Sequence, residues 1–212
     1  MPQPELWIVA GPNGAGKTTL VQSAPLAALL PHVAFLNPDD VALDCLRQAG
    51  FHGFADAPDR ALKEAFRAAA NSVLASLIAR LEASEAVVVE TVLSSGKYQP
   101  VVEAVLKRGG FVGLIYVCLD SSETACARVE QRVARGGHAV PRDRIVARWC
   151  RSLDNAAWFL SRVSRFWIYD NSDSDPDIAP KLLAVGGRGF CDSLASEIPP
   201  WLALALPPRR PA

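Results

Sequence analysis

The sequence predicts an α/β fold with a mostly parallel sheet that carries helices on both faces. Short apolar runs alternate along the chain with longer stretches of helical periodicity, which is the order expected when parallel strands are joined by crossover helices. The runs are apolar along their whole length, as strands buried on both faces should be. Five runs qualify as strands, at residues 6–10, 33–36, 86–90, 111–119 and 166–169.

Helical periodicity fills the gaps between these runs. Residues 60–83 carry apolar side chains at intervals of three or four, which predicts one face turned to the core rather than a cofactor site. These side chains are Leu62, Phe66, Ala69, Val73, Leu77 and Leu81. A second helix begins at Pro141. We expect a single domain over residues 1–212, with its core at 6–172 and a helix near Lys181 followed by a Pro-rich tail in 173–212.

The composition bears on partners and compartment. The 22 basic and 22 acidic residues cancel, so no global field attracts nucleic acid or an anionic membrane, and we expect neither as a partner. The five cysteines are an odd number without a Cys-x-x-Cys pair, which favours a reducing compartment. No basic leader precedes the first run, and no run approaches the roughly 20 apolar residues of a membrane span. We therefore expect a cytoplasmic protein.

A glycine-rich motif directly follows the first predicted strand and opens a helix. In this context the motif predicts a P-loop, whose backbone N–H groups and helix N-terminus surround phosphates. The residues expected to bind the nucleotide are Gly11, Pro12, Asn13, Gly14, Ala15, Gly16, Lys17, Thr18 and Thr19. Lys17 is suited to span the β- and γ-phosphates, and the Thr18 hydroxyl to bind Mg²⁺. The sequence therefore predicts a P-loop NTPase or kinase fold that uses ATP and Mg²⁺.

Carboxylates follow two predicted strands, at the edge of the sheet where α/β folds bind ligands. Phosphoryl transfer needs one carboxylate beside the acceptor hydroxyl and another near the metal. Asp39 or Asp40 suits the first role, and Glu90 suits the second. An aspartate here could instead cap the helix predicted over residues 41–49. The spacing alone decides neither between catalysis and helix capping nor between Asp39 and Asp40 as the catalytic residue.

An arginine-rich segment follows the fourth predicted strand. Its arginines recur at i, i+4 and i+7 in two successive helices, so like charges stack along each helix at a cost of roughly 0.2–0.5 kcal/mol per pair. The two sets are Arg128, Arg132 and Arg135, and Arg144, Arg148 and Arg151. An anion between the helices would reverse that cost. The Gly136-Gly137-His138 interruption completes the prediction of a lid that closes over phosphates, with His138 serving the turn rather than catalysis.

Five sequence blocks in this order resemble the zeta-toxin family of P-loop kinases, and the branch of zeta-toxin-like predicted ATPases in particular. The blocks are residues 11–18, Asn37-Pro38-Asp39-Asp40-Val41-Ala42, Glu90-Thr91-Val92-Leu93-Ser94-Ser95, residues 132–141 and Tyr169-Asp170-Asn171-Ser172. The resemblance extends over residues 6–172 and implies a five-stranded P-loop kinase fold. It also implies ATP-dependent phosphorylation of a nucleotide-activated amino sugar such as UDP-N-acetylglucosamine, and an antitoxin protein as partner.

The resemblance implies residue roles as well. Lys17 would contact phosphate and Asp39 would activate the sugar hydroxyl, with Asp40 beside it on the substrate side. The remaining roles are a substrate pocket for Glu90 and Thr91, a phosphate clamp for Arg128, Arg132 and Arg135, and contact with the adenine for Asn171.

A function of a different class also fits the loop, namely an ATP-gated binding or regulatory module with slow ATPase activity. The pair Asp39 and Glu90 favours the kinase, because a switch needs no base for an acceptor. A kinase of nucleic-acid ends is weakened by the balanced charge. The function that we expect is transfer of the γ-phosphate of ATP to a small hydroxyl-bearing substrate.

Overall fold

The structure is a computed structural model that describes residues 3–22, 30, 33–173, 175 and 178–211. At its centre lies one seven-stranded sheet in the order β2-β3-β1-β4-β5-β6-β7. The strands are β1 (Glu5–Ala10), β2 (Phe35–Leu36), β3 (Ala86–Thr91), β4 (Phe111–Cys118), β5 (Arg165–Asp170), β6 (Lys181–Gly187) and β7 (Phe190–Leu194). The first five strands are parallel, as predicted, and β2 is only two residues long.

The last two strands correct the expectation of a five-stranded sheet that ends at residue 172. β6 pairs antiparallel with β5, and β7 pairs antiparallel with β6. The expected helix near Lys181 is therefore wrong, since this residue begins β6. Without the hairpin, β5 would present a row of unpaired N–H and C=O groups. The tail then pairs with β7, because Cys191 N–H donates to Pro208 O at 2.8 Å and Arg210 N–H donates to Cys191 O at 3.0 Å.

Helices cover both faces of the sheet, as predicted. They are α1 (Lys17–Gln22), α2 (Pro38–Gln48), α3 (Asp59–Glu82), α4 (Gln99–Lys107), α5 (Ser122–Ala134), α6 (Arg142–Leu160) and α7 (Pro200–Ala205). Alternate residues of β1 point to opposite faces. Leu6 and Ile8 pack in one cluster with side chains of α3, α4 and α6, while Trp7 and Val9 pack in another with side chains of α1 and α5. Among the described residues, no helix has the length and apolar character to cross a membrane.

Candidate active site

The glycine-rich loop lies between β1 and α1, and two of its glycines are required by close approach. Gly11 has a φ of 146°, and a Cβ there would fall on the Val117 carbonyl oxygen. Gly16 has a φ of 77°, and a Cβ there would lie 2.5 Å from Asn171 Nδ2. Only glycine combines these backbone angles with so little space. The loop therefore has the tight wrap that a phosphate-binding backbone needs.

Lys17 is the buried cation of this loop. Its Nζ donates to the carbonyl oxygens of Gly11 at 3.0 Å and Pro12 at 3.1 Å, and lies 3.9 Å from Glu90 Oε1. Burial lowers the pKa of Lys17, and the negative charges of Glu90 and Asp39 oppose that shift. The ammonium lines a cavity and is held by the loop whose N–H groups would bind the same phosphate.

Thr18 and Glu90 bring two hard oxygen ligands together. The Thr18 hydroxyl donates to Glu90 Oε2 at 2.9 Å, because the end of β3 lies beside β1, with Glu90 opposite Val9. No group of three or more His, Cys, Asp or Glu side chains suited to a metal occurs in the described part of the chain. This pair fits Mg²⁺, which typically binds one or two protein oxygens and completes its coordination with phosphates and water.

The start of α2 distinguishes the two aspartates. Asn37 caps the helix, since its Oδ1 accepts from Asp39 N–H at 2.9 Å, so neither aspartate is the N-cap. Asp39 lines the cavity together with Lys17, whereas Asp40 is exposed and does not line it. Burial, together with the charges of Asp39 and Asp44, raises the pKa of Asp40. The alternatives that spacing left open thus differ in position, and only Asp39 faces the loop lysine.

A cavity of about 580 Å³ extends from the loop between α2, α3 and α6. Its charged lining contains six basic and three acidic side chains, which indicates an anionic ligand. These are Lys17, Lys63, Lys97, Arg132, Arg144 and Arg148, and Asp39, Asp59 and Glu90. Thr91, at the end of β3, lines the same cavity.

Three of the predicted lid arginines reach this cavity. Arg132 Nη1 lies 4.0 Å from Asp39 Oδ2, and Arg132 Nη2 donates to His138 O at 2.9 Å. Arg144 and Arg148 line the cavity from α6. Burial, then the charges of Arg144 and Arg151, lowers the pKa of Arg148. The like charges of Arg144 and Arg148 thus lie one helical turn apart at the cavity.

The other three arginines lie outside the cavity lining. Arg128 Nη2 donates to Asp173 O, close to the loop because Arg128 Cβ lies 3.2 Å from the position of a Cβ on Gly14. Arg151 Nε donates to Ser94 O at 3.2 Å. Arg135 is exposed at the end of α5. The two helices that carry the predicted lid arginines pack their opposite faces into the core. Closure of a lid over phosphates stays a prediction.

Asn171 ties the end of β5 to the loop. Its Nδ2 donates to Ala15 O at 2.9 Å, so the side chain lies against the loop before Lys17. Thr19 lies on α1 with an exposed side chain, outside the cavity lining. The carboxyl ends of β1, β3 and β5 and the start of α2 thus converge at one edge of the sheet, where parallel α/β folds bind ligands.

Several lining residues escaped the sequence analysis. Leu62 and Phe66, expected in the core, form an apolar wall of the cavity, and Lys63 beside them joins the basic lining. The His138 ring lies 4.2 Å from the Phe66 ring, and burial lowers the pKa of His138 while Asp39 opposes that shift. No local signal marks Leu62, Lys63 and Phe66 as site residues, because the packing of α3 brings them to the cavity. Lys97 could have been found, since it follows the residues 90–95 block.

The fold and the glycine-rich loop together define a P-loop domain of the α/β class. The AAA_33 family, described as an AAA domain, matches residues 6–153, and the chain belongs to this family. No curated protein matches the sequence.

Solved structures share the fold at low identity. The AvrRxo1-ORF1:-ORF2 structure with ATP has a TM-score of 0.65 and 18% identity, covering 91% of this chain and 60% of that chain. The PezAT toxin-antitoxin system of Streptococcus pneumoniae has a TM-score of 0.57 and 16% identity, covering 81% and 69%. The Pnkp1/Rnl/Hen1 RNA repair complex has a TM-score of 0.53 and 20% identity, covering 75% and 47%. This chain thus spans about three fifths of the AvrRxo1 chain, and the resemblance to zeta-toxin-like P-loop kinases is confirmed at the level of the fold.

Proposed function

We propose that this chain is an ATP- and Mg²⁺-dependent kinase that phosphorylates a hydroxyl group of a small acceptor. The observation that carries the proposal is the position of Asp39, whose carboxylate shares a cavity of about 580 Å³ with the loop lysine Lys17. That volume lies within the range of small-molecule sites. A nucleotide-gated switch needs a carboxylate near the metal but no base for an acceptor, whereas transfer to a hydroxyl needs both.

The loop and its neighbours would hold the nucleotide and the ion. ATP with Mg²⁺ supplies the phosphoryl group when bound. Lys17 and the loop N–H groups would bind the phosphates, and the Thr18 and Glu90 oxygens would bind the ion, since they already lie 2.9 Å apart. Asn171, whose side chain lies against Ala15, would contact the adenine base of the nucleotide. The likeness to the AvrRxo1 structure with ATP supports this choice of nucleotide.

Asp39 would orient the acceptor hydroxyl and remove its proton. Arg132 lies on the Oδ2 side of the carboxylate at 4.0 Å, which leaves Oδ1 to accept the hydroxyl proton. Arg132 itself, whose buried Nε has no hydrogen-bond partner among the described residues, would donate to the phosphoryl oxygens. Arg144 and Arg148 line the same cavity from α6 and would remain available for the charges of the acceptor.

As acceptor we propose a nucleotide-activated amino sugar such as UDP-N-acetylglucosamine. Besides Lys17 and Arg132, four basic side chains line the cavity, and their positive charge matches a second diphosphate. They are Lys63, Lys97, Arg144 and Arg148. The apolar wall formed by Leu62 and Phe66 suits the less polar parts of such a ligand.

The test is to incubate the protein with ATP and Mg²⁺ and a pool of nucleotide sugars that contains UDP-N-acetylglucosamine. A 5′-hydroxyl oligonucleotide belongs in the pool, because the RNA repair complex shares the fold. We expect mass spectrometry to detect a phosphorylated nucleotide sugar with the parent protein and none with Lys17→Ala. ATP turnover without any phosphorylated acceptor would refute the kinase and favour the ATP-gated module.

The proposal includes an inhibitory protein partner. The Streptococcus pneumoniae structure belongs to a toxin-antitoxin system, and AvrRxo1-ORF1 was solved together with ORF2. We propose that this kinase has an antitoxin-type partner that controls its activity. If so, expression of the chain alone should arrest bacterial growth, and Asp39→Asn should relieve the arrest. Equal growth of cells that express the parent protein and cells that express Asp39→Asn would argue against toxicity.

A further inference from the structure

The turn after β3 contains a leucine in the left-handed backbone region. Leu93 has a φ of 58° and a side chain that is 1% exposed. Among the described residues, the other non-glycine residues with positive φ are Ser84 and Arg188, which follow α3 and β6 and do not line the cavity. Such a conformation is costly for a residue with a Cβ and persists only where the surroundings hold it.

Three hydrogen bonds hold this turn. Leu93 N–H donates to Thr91 Oγ1 at 3.1 Å. Leu93 O accepts from Asn155 Nδ2 at 3.1 Å, and Ser94 O accepts from Arg151 Nε at 3.2 Å. Both donors lie one turn apart on α6, and Asn155 Nδ2 also donates to Arg151 O at 2.9 Å. The carbonyl groups of the turn are therefore fixed by side chains of α6.

The turn and α6 line the same cavity. Thr91 and Ser94 line it from the turn, and Arg144 and Arg148 line it from the first part of α6. One helix thus carries both the anchors of the turn and two cations of the cavity. Release of the Leu93 carbonyl would let the Thr91 and Ser94 hydroxyls move relative to Arg148.

We propose that Asn155 is a positioning residue for the acceptor. Its side-chain amide holds the Leu93 carbonyl and thereby fixes the turn at residues 91–95 as one wall of the acceptor cavity. Asn155 does not line the cavity and acts through Leu93. The proposal rests on the proposed function, because the acceptor is the molecule whose binding the turn would shape.

The experiment compares Asn155→Ala, Asn155→Asp and Asp154→Ala with the parent protein. Aspartate has the size of asparagine but donates no hydrogen bond when ionised, so it separates the hydrogen bond from packing. Asp154 is an exposed neighbour on the same helix and serves as the matched control. Amide exchange is followed at Leu93 and Ser94, and steady-state kinetics are measured with ATP and UDP-N-acetylglucosamine.

We expect both Asn155 variants to exchange the Leu93 amide roughly tenfold faster and to raise KM for UDP-N-acetylglucosamine by roughly 5- to 10-fold, the factor of about one lost hydrogen bond. Values of kcat and of KM for ATP should stay within about twofold of the parent, because Asn155 contacts neither the glycine-rich loop nor the proposed catalytic base, Asp39. Asp154→Ala should change none of these quantities.

Three outcomes would overturn the proposal. They are unchanged Leu93 exchange, faster exchange with an unchanged acceptor KM, and parent-like behaviour of Asn155→Asp beside a defective Asn155→Ala. A parent protein that phosphorylates no acceptor would refute the proposed function and the acceptor role with it. In that case the exchange data would still decide whether Asn155 fixes the turn, so the two failures are distinguishable.

Discussion

Asp39→Asn separates binding from chemistry more sharply than any other single substitution in this site. The change keeps the size of the side chain and removes the charge that would receive the hydroxyl proton at Oδ1. Since the carboxylate lies in the cavity with Lys17, and the glycine-rich loop is untouched, ATP should bind nearly as it does to the parent. Transfer to the acceptor should fall by about 10²–10⁴-fold, the effect of losing a general base.

The stability cost of the same change follows from the position of Asp39 in the first turn of α2. Loss of a half-exposed negative charge at a helix N-terminus costs about 0.3–1 kcal/mol. The cap itself is unaffected, because Asn37 supplies the accepting oxygen. Unfolding of the variant should therefore shift only slightly, which leaves a large kinetic effect to be attributed to the lost base.

Asp40→Asn is the matched control. Asp40 lies in the same helical turn, so it loses the same interaction with the helix dipole, but it is exposed and does not line the cavity. We expect nearly parent-like transfer from this variant. The assay measures ATP affinity by titration calorimetry, acceptor phosphorylation under single-turnover conditions and thermal unfolding for both variants.

A silent Asp39→Asn variant in a working kinase assay would refute the assignment of the base. If Asp40→Asn abolished transfer while Asp39→Asn did not, the geometric argument from the cavity would be wrong, although the mechanism could stand with the neighbouring residue. Equal losses in both variants would point to the charge of the helix end rather than to a base.

Three further predictions concern the loop and the core. Lys17→Ala should lose most of its ATP affinity in calorimetry. It should keep its fold, because the hydrogen bonds of the Lys17 side chain go to carbonyl oxygens of the loop and not to a strand or a helix. Parent-like affinity would contradict the loop assignment. Gly11→Ala should unfold at lower temperature and lose ATP binding, because its Cβ would fall on Val117 O. Gly50→Ala, with a φ of 91°, carries backbone strain but its Cβ would meet no described atom within 4 Å, so it should cost less. Burial raises the pKa of Tyr98 from 10.0 to about 12, so the folded state holds this proton more tightly, and stability should fall from pH 10 towards 12, by at most about 1.4 kcal/mol per pH unit. Tyr98→Phe should make that fall shallower. It should cost little at pH 7, because the Tyr98 hydroxyl has no hydrogen-bond partner in the described part of the chain. An unchanged alkaline slope in chemical denaturation would contradict this account.

The sequence predicted the parts of the site whose chemistry is local. The loop is contiguous, so its glycines, Lys17 and Thr18 could be recognised together, and the five parallel strands were apolar enough to find. The choice between Asp39 and Asp40 could not be made, because it depends on Asn37 as the cap and on which side chain faces the cavity.

The sequence analysis was wrong where one pattern fits two structures. Residues 182–185 are apolar without interruption, so periodicity does not distinguish a helix from a strand there. The glycines at 186, 187 and 189 were the overlooked signal, because glycines between two short runs are typical of a hairpin turn. Phe66 and Lys63 belong to the site through the packing of α3, a long-range property that no local motif records.

The two ends of the sheet limit how another protein can associate with this one. At one end β2 offers only two residues, and at the other the Cys191 N–H and C=O groups of β7 are already taken by the tail. Strand addition, in which a partner extends a sheet through main-chain hydrogen bonds, needs a longer open edge. A protein partner that recognised side chains on the helices and around the cavity would need no open edge, and its specificity could be changed by surface substitutions that leave the sheet intact.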